Sequence, residues 1–293
     1  MEIIRTVPWM KEKARLARAE NHVIGFIPTL GALHEGHLSL IRCARAECSR
    51  VCASIFVNPT QFGPNEDLSK YPRTFESDVK KLESAGVDVL FAPDAKEIYP
   101  AGFGTYAEVE SISNRLEGRS RPGHFRGVAT VVLKLFNIVQ PQFAYFGRKD
   151  AQQVRILQQM TRDLNLDVEI VVCPIVREPD GLALSSRNVY LNAEERRAAT
   201  ILHRALEAAS QQAKTGARNA VQIQQIVIHV LSEEKLARVD YAEIVDAETF
   251  EPVTLIGARP VYVLLAAHVG KTRLIDNLLI EPAQDSGALK CSL

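Results

Sequence analysis

The sequence predicts an α/β protein: a doubly wound parallel sheet followed by a smaller α+β domain. Three observations carry that reading. Short, uninterrupted apolar runs alternate with amphipathic stretches through the first part of the chain, the pattern of strands buried on both faces between helices. Polar, glycine-bearing segments follow those runs, where such sheets bind ligands, beyond the carboxyl ends of the strands and near a switch in strand order. Past residue 176 the order changes to helices first and strands after, which divides the chain into residues 1–176 and 177–293.

The elements follow in order. The first 20 residues are charged throughout and lack an apolar core, so they do not read as a signal peptide. Strands are expected at 23–28, 51–57, 87–92, 143–146 and 168–173, with helices at 38–49, 75–85, 128–139 and 151–164. In the third helix Val128, Val131, Val132, Leu135 and Val139 share one face at steps of three and four. In the second domain Asn192 reads as a helix N-cap, with Glu195 completing a capping box. A long helix is expected from there to about residue 214, ended by Gly216, and a second over 219–234. Strands follow at 240–246 and 260–267, and residues 281–293 read as a loose terminus.

Composition narrows the class of partner. Lysine plus arginine equals aspartate plus glutamate, 35 each, so no basic field exists to collect nucleic acid. No apolar run is long enough to span a bilayer, so no membrane partner is expected and the cytoplasm is the expected compartment. The five cysteines are odd in number and form no CxxC pair, which argues against a disulfide framework or a zinc ribbon and for buried thiols.

Two short segments carry the chemistry. In Pro28-Thr29-Leu30-Gly31-Ala32-Leu33-His34-Glu35-Gly36-His37, a strand runs into a glycine turn with two histidines at the start of the next helix. Spaced three apart, both rings would face one side, and a helix start with free N–H groups and positive potential suits phosphate. A structural pair or a metal pair are the alternatives, although the spacing is one residue short of HExxH. The second segment, Leu184-Ser185-Ser186-Arg187-Asn188, reads as a mobile polar loop whose hydroxyls and guanidinium could embrace phosphates, with a surface turn capped by serine as the alternative. Between them, Gly147-Arg148-Lys149-Asp150 is a charged strand-to-helix turn. Taken singly it reads as a solvated loop, but its lysine could reach a phosphate or a carboxylate and its aspartate could cap the helix or bind a sugar hydroxyl or a metal, with Gln153 one turn on. Asn58 and Gln61 are amides at a strand end, suited to a small polar acid. The cluster Arg121-Pro122-Gly123-His124-Phe125-Arg126 reads as a solvated helix start.

The ordered set PTLGALHEGH, FVNPTQF, YPRT, SRPGHFRGV, GRKD-x-QQ and LSSRN resembles the pantothenate synthetase family, in the nucleotidyltransferase group whose HxGH and KMSKS-type loops hold ATP. The resemblance runs through nearly all of residues 24–192 and more loosely beyond. It implies a Rossmann-like nucleotide- and pantoate-binding domain and a lid domain. It also implies a cytoplasmic homodimer that makes pantothenate from pantoate and β-alanine, using ATP and Mg2+ through a pantoyl adenylate. By the resemblance His34 and His37 contact phosphates, while Lys149, Ser185, Ser186 and Arg187 hold the triphosphate. Pro28, Thr29, Leu30, Gly147, Asp150, Val176 and Leu184 match nucleotide-binding positions. Gln61 and Gln153 match the pantoate-binding pair, with Asn58, Tyr71, Glu117 and Arg121 nearby in function and Asp78 a candidate near the magnesium. The chain departs from the family pattern at Leu30 and Leu184, where methionine is common, and at Arg148, where glutamate is expected. Its rivals are another nucleotidyltransferase of the same fold and a nucleotide-binding regulatory module without chemistry.

Overall fold

Phe26 and Ile27 are neighbours in sequence, yet each is wholly buried in a different core. That is the mark of a strand covered on both faces. In the computed structural model, which describes residues 1–64, 66–282 and 289–293, the chain divides into two units, Met1–Pro174 and Ile175–Leu293. The first unit runs β1 (Glu2–Ile4), α1 (Val7–Ala19), β2 (Ile24–Thr29), α2 (Glu35–Glu47) and β3 (Arg50–Ile55). It continues with α3 (Phe75–Ser84), β4 (Val89–Phe91), α4 (Ala95–Ile98), α5 (Glu117–Ser120) and α6 (His124–Val139). It ends with β5 (Phe143–Gly147), α7 (Ala151–Asp163) and β6 (Glu169–Cys173).

All six strands are parallel, in the order β1-β4-β3-β2-β5-β6. One face packs on α1, α6 and α7 through residues such as Met10, Val128, Leu135 and Leu157, and the other on α2 and α3 through Ile41, Ala44 and Leu82. The strand order reverses between β2 and β5, the position where doubly wound sheets open a crevice. Pro28 lies where the pairing of β2 with β5 has ended. Ile24 accepts from Gln142 with its carbonyl, so alternate residues of β2, including residue 28, face β5. The last β2–β5 pair is Phe26 with Ala144, and a proline just beyond has no N–H to continue the ladder.

The sequence reading missed β1 and α1. Three residues are too few to show a period, and α1 buries only Met10 and Ala14 under a mostly charged surface.

The second unit comprises α8 (Ala193–Ala198), α9 (Ile201–Lys214), α10 (Ala220–Ser232), β7 (Ala237–Asp246), β8 (Val261–Val269), β9 (Thr272–Pro282) and β10 (Leu289–Ser292). Its sheet is antiparallel, β10-β9-β8-β7, with α9 and α10 covering one face. The capping box forms as expected: Asn192 accepts from the Glu194 and Glu195 N–H groups while Glu195 accepts from the Asn192 N–H. The single long helix does not. It breaks at residues 199 and 200, where the Thr200 hydroxyl donates to the Arg197 carbonyl at 2.8 Å and competes with the helical ladder. The end of the chain is also corrected, because β9 extends to Pro282 and Leu289–Ser292 pairs with it as an edge strand. Residues 283–288, part of the expected loose terminus, lie outside the described residues. Among the described residues no helix is long and apolar enough to cross a membrane.

Candidate active site

The turn from β2 into α2 is wrapped around one carboxylate. Gly31 (φ 85°) and Ala32 (φ 51°) are both left-handed. Asp78, buried on α3, accepts the Ala32 and Leu33 N–H groups at 2.8 and 2.9 Å and the Thr74 hydroxyl at 3.0 Å. A Cβ on Gly31 would stand 3.2 Å from that carboxylate, so glycine serves both the dihedral and the close approach. Thr29 Oγ1 accepts from Gly31 N at 3.1 Å and donates to Ser54 O at 2.7 Å. Lys81, three residues after Asp78, donates to the Leu33 carbonyl at 2.6 Å.

Past this turn His34 caps α2. Its Nδ1 accepts the Gly36 N–H at 3.2 Å, and its own N–H donates to His37 Nδ1 at 3.3 Å. A ring nitrogen that accepts an N–H carries no proton, so both neutral rings hold theirs on Nε2. The rings lie 4.2 Å apart between centroids. Burial, followed by the charge of Lys149, lowers His34 to about 4. Burial, then His34 and Lys149, lowers His37 to about 3. The pair is thus two fixed, uncharged Nε2–H donors.

This corrects the expectation of free backbone N–H groups at the helix start. The Gly36 N–H is taken by the His34 ring, and those of His37 and Leu38 by the His34 carbonyl. Imidazole N–H groups stand in their place.

At the end of β3, Asn58 is completely buried and caps the short turn Pro59–Gln61. Its Oδ1 accepts from Thr60 N, Thr60 Oγ1 and Tyr99 OH, while Nδ2 donates to the Gly127 carbonyl and to Gln61 Oε1, the latter at 3.0 Å. Asn58 therefore orients Gln61, whose Nε2 remains as the donor. Gly127 on α6 allows the contact, since a Cβ there would fall 2.3 Å from the Thr60 carbonyl oxygen. Tyr71 is buried edge-on to Phe62, with centroids 5.9 Å apart.

Arg121 is clamped by Glu66 at 2.8 and 2.6 Å. The helix start beside it is not solvated: His124 and Phe125 are buried. Glu117 is buried too, and its N–H donates to Gln152 Oε1 at 3.1 Å. Gln152 also donates to the Ile112 and Arg115 carbonyls, so it is the tied amide of α7 and Gln153 is its half-buried neighbour.

Gly147 ends β5, and Arg148–Asp150 form one 3-10 turn before α7. Asp150 is exposed and its side chain makes no cap hydrogen bond; Lys149 Nζ lies 4.0 Å from its Oδ1. His34, Gln61 and Lys149 thus follow β2, β3 and β5 at one edge of the sheet, and Lys149 acts electrostatically on both imidazoles.

In the second unit the polar segment forms a 3-10 turn, Ser186–Tyr190, capped by Ser185 Oγ accepting the Arg187 N–H at 3.3 Å, the serine-capped turn that is the alternative to a mobile loop. A small hairpin precedes it: Arg177 bridges Ala183, and Leu184 N donates to Val176 O at 3.0 Å. Arg177 donates to both oxygens of buried Asp276 on β9 at 2.7 and 2.9 Å, and to the Gly181 carbonyl at 3.0 Å. Asn188 Nδ2 ties the turn back to the Ala183 carbonyl.

Among the described residues no group of three His, Cys, Asp or Glu side chains is placed to hold a metal ion. Asp78, a candidate near magnesium, has both oxygens engaged in the turn. Lys81 and Glu66 were missed in the sequence, and His124 reads there only as part of a solvated helix start. Lys81 lies on an ordinary amphipathic helix, and only the three-residue step from Asp78 could have flagged it.

Comparison with known proteins converges. The family model described as pantoate-beta-alanine ligase matches residues 2–279. Pantothenate synthetase of Thermotoga neapolitana is 57% identical over 280 residues, covering 96% of this chain and 100% of the relative. The crystal structure of pantothenate synthetase from Thermus thermophilus superposes with a TM-score of 0.88 at 46% identity, covering 94% of this chain and 98% of that one. The ligase from Francisella tularensis, complexed with beta-gamma ATP and beta-alanine, gives a TM-score of 0.75 at 37% identity over 94% and 97% of the two chains.

Proposed function

The chain belongs to the pantoate-beta-alanine ligase family, whose members are ATP-dependent ligases, and we propose that it joins pantoate to β-alanine through a pantoyl adenylate. The observation that carries this reading is the pair of Nε2–H donors on His34 and His37, fixed beside Lys149 at the carboxyl edge of the sheet.

A pantoate carboxylate oxygen attacks the α-phosphorus of ATP, the bond to the bridging oxygen breaks, and pyrophosphate leaves. The β-alanine nitrogen then attacks the acyl carbon, the acyl–oxygen bond breaks, AMP departs and the nitrogen loses a proton. No side-chain nucleophile is needed, so catalysis rests on positioning and on stabilising charge. In this reading His34 and His37 donate to phosphate oxygens as negative charge builds, and Lys149 neutralises it. Being neutral, the imidazoles add hydrogen bonds without depending on protonation near neutral pH. Ser185, Ser186 and Arg187 supply donors to the β- and γ-phosphates, with Pro28, Thr29, Leu30, Val176 and Leu184 lining the nucleotide and Gly147 and Asp150 meeting the ribose. Gln61 Nε2 and Gln153 bind pantoate. Asn58 and Arg121 act behind Gln61.

Magnesium is proposed as a partner of the phosphates. The described residues form no protein cage for it, and no step is derived through it. A cytoplasmic homodimer is proposed on the family resemblance.

The test is isotope exchange between pyrophosphate and ATP. Exchange that requires pantoate but not β-alanine supports the adenylate, and exchange that waits for β-alanine refutes it. His34→Ala and His37→Ala should each slow exchange by roughly a hundred- to a thousandfold in folded protein.

A further inference from the structure

The segment from Arg121 to Arg126 contains a buried histidine for which the reaction above has no use. His124 opens α6 and is 8% exposed, with Nδ1 2.8 Å from the Gln61 carbonyl oxygen and Nε2 3.1 Å from Arg121 Nη1. A guanidinium can only donate, so Nε2 accepts and the proton sits on Nδ1, aimed at the carbonyl. Arg121 is in turn held by both carboxylate oxygens of Glu66. Burial, followed by the charge of Arg121, lowers His124 to about 4, so the ring is neutral in ordinary buffer. The order Glu66, Arg121, His124, Gln61 is therefore directional: the ion pair selects the tautomer, and the tautomer holds the backbone of Gln61. Asn58 separately holds the side chain of the same residue. Both ends of Gln61 are fixed by buried groups, which is more than a surface turn needs.

We propose that His124 is a positioning residue for the hydroxy-acid subsite, fixing Gln61 through the Nδ1–H to carbonyl hydrogen bond in the tautomer chosen by the Arg121–Glu66 pair. This rests on the assignment of Gln61 to pantoate made above.

Asparagine at 124 can place an amide N–H close to the position of Nδ1–H, whereas glutamine reaches toward Nε2. With ATP, magnesium and β-alanine saturating, His124→Ala and His124→Gln should raise the KM for pantoate about ten- to a hundredfold, while the KM for ATP stays within about twofold. His124→Asn should restore most of the pantoate KM. An unchanged pantoate KM in the alanine and glutamine variants overturns the proposal, and so does an asparagine variant as impaired as alanine. A second measurement needs no variant activity: in the 15N-labelled full chain, the His124 ring must carry its proton on Nδ1, identified by the signal that disappears in His124→Asn. A proton on Nε2 overturns the proposal. Failure of the unsubstituted enzyme to consume pantoate would instead strike the function proposed above and with it the subsite, while the tautomer would still test the hydrogen bond from His124 to Gln61 by itself.

Discussion

The two units hold their candidate functional side chains in different ways. In the first, the side chains are aimed by buried partners distant in sequence. Asp78 shapes the turn before His34, and the Asn58 amide orients Gln61 while also bonding Gly127 on α6. In the second, the turn at Ser185–Tyr190 carries the Ser185 cap and the bond from Asn188 to Ala183, and it also packs on β9. Its preceding hairpin is tethered by Arg177 to Asp276 on β9 and by Asp180 to Arg196 on α8. The contrast is one of chemistry: several independent hydrogen bonds to buried polar groups fix the turns of the first unit, whereas ion pairs anchor the hairpin that leads to the loop.

The largest effect should expose that tether. Asp276→Asn leaves Arg177 buried beside a neutral amide, and breaking such a pair costs about 3–5 kcal/mol because an uncompensated charge remains. Chemical denaturation should show the second unit losing stability. Replacing both partners with Arg177→Met and Asp276→Leu should recover much of it, since no charge is then stranded. If the double variant is stable yet its KM for ATP is higher than that of the unsubstituted protein, the pair sets loop geometry as well as stability. An unchanged KM would show that stability was its only contribution.

How much of this could be read from the sequence follows the same divide. The strands β2 to β6, the capping box at Asn192 and the paired histidines were legible, because each is written in neighbouring residues or in one period. The roles of Asp78, Asn58 and Arg121 were not, because each depends on a partner 45 residues away or more (45 from Asp78 to Leu33, 69 from Asn58 to Gly127, 55 from Arg121 to Glu66). Composition also misled at His124: a motif with two arginines and a glycine looks solvated, but the sheet-covering face of α6 begins there. Strands as short as β1 and helices as polar as α1 take their place from packing, which no local pattern records.

A smaller effect tests the redundancy of the crevice. Asp78→Asn keeps the shape of the side chain but turns one acceptor into a donor that faces the Ala32 or Leu33 N–H. Leaving such a buried group unsatisfied costs about 1–3 kcal/mol. Because Lys81 and Thr29 still hold the turn, the variant should fold, melt lower, and lose adenylate formation more than pantoate binding. Equal loss of both would mean that Asp78 organises the whole crevice and that the apparent redundancy is false.

The smallest effect is a difference in acid response between the units. His34, His37 and His124, all in the first unit, are held neutral by burial well below the ordinary range, whereas in the second unit burial lowers His268 on β8. A folded-state value below the unfolded one means that the unfolded chain binds more protons between about pH 6.5 and 4. Each such histidine then contributes stability that is present above 6.5 and lost as pH falls toward the folded value. By pH 6 the loss should be at most about 1 kcal/mol per imidazole. Amide hydrogen exchange at pH 7 and pH 6, corrected for intrinsic rates, should therefore show protection falling further around α2 and the start of α6 than in β7 to β9. Equal losses in both units would mean that other groups govern the acid response. Protection that falls only around α2 would mean that His124, whose Nε2 accepts from Arg121 at 3.1 Å, contributes less to the acid response than its burial implies.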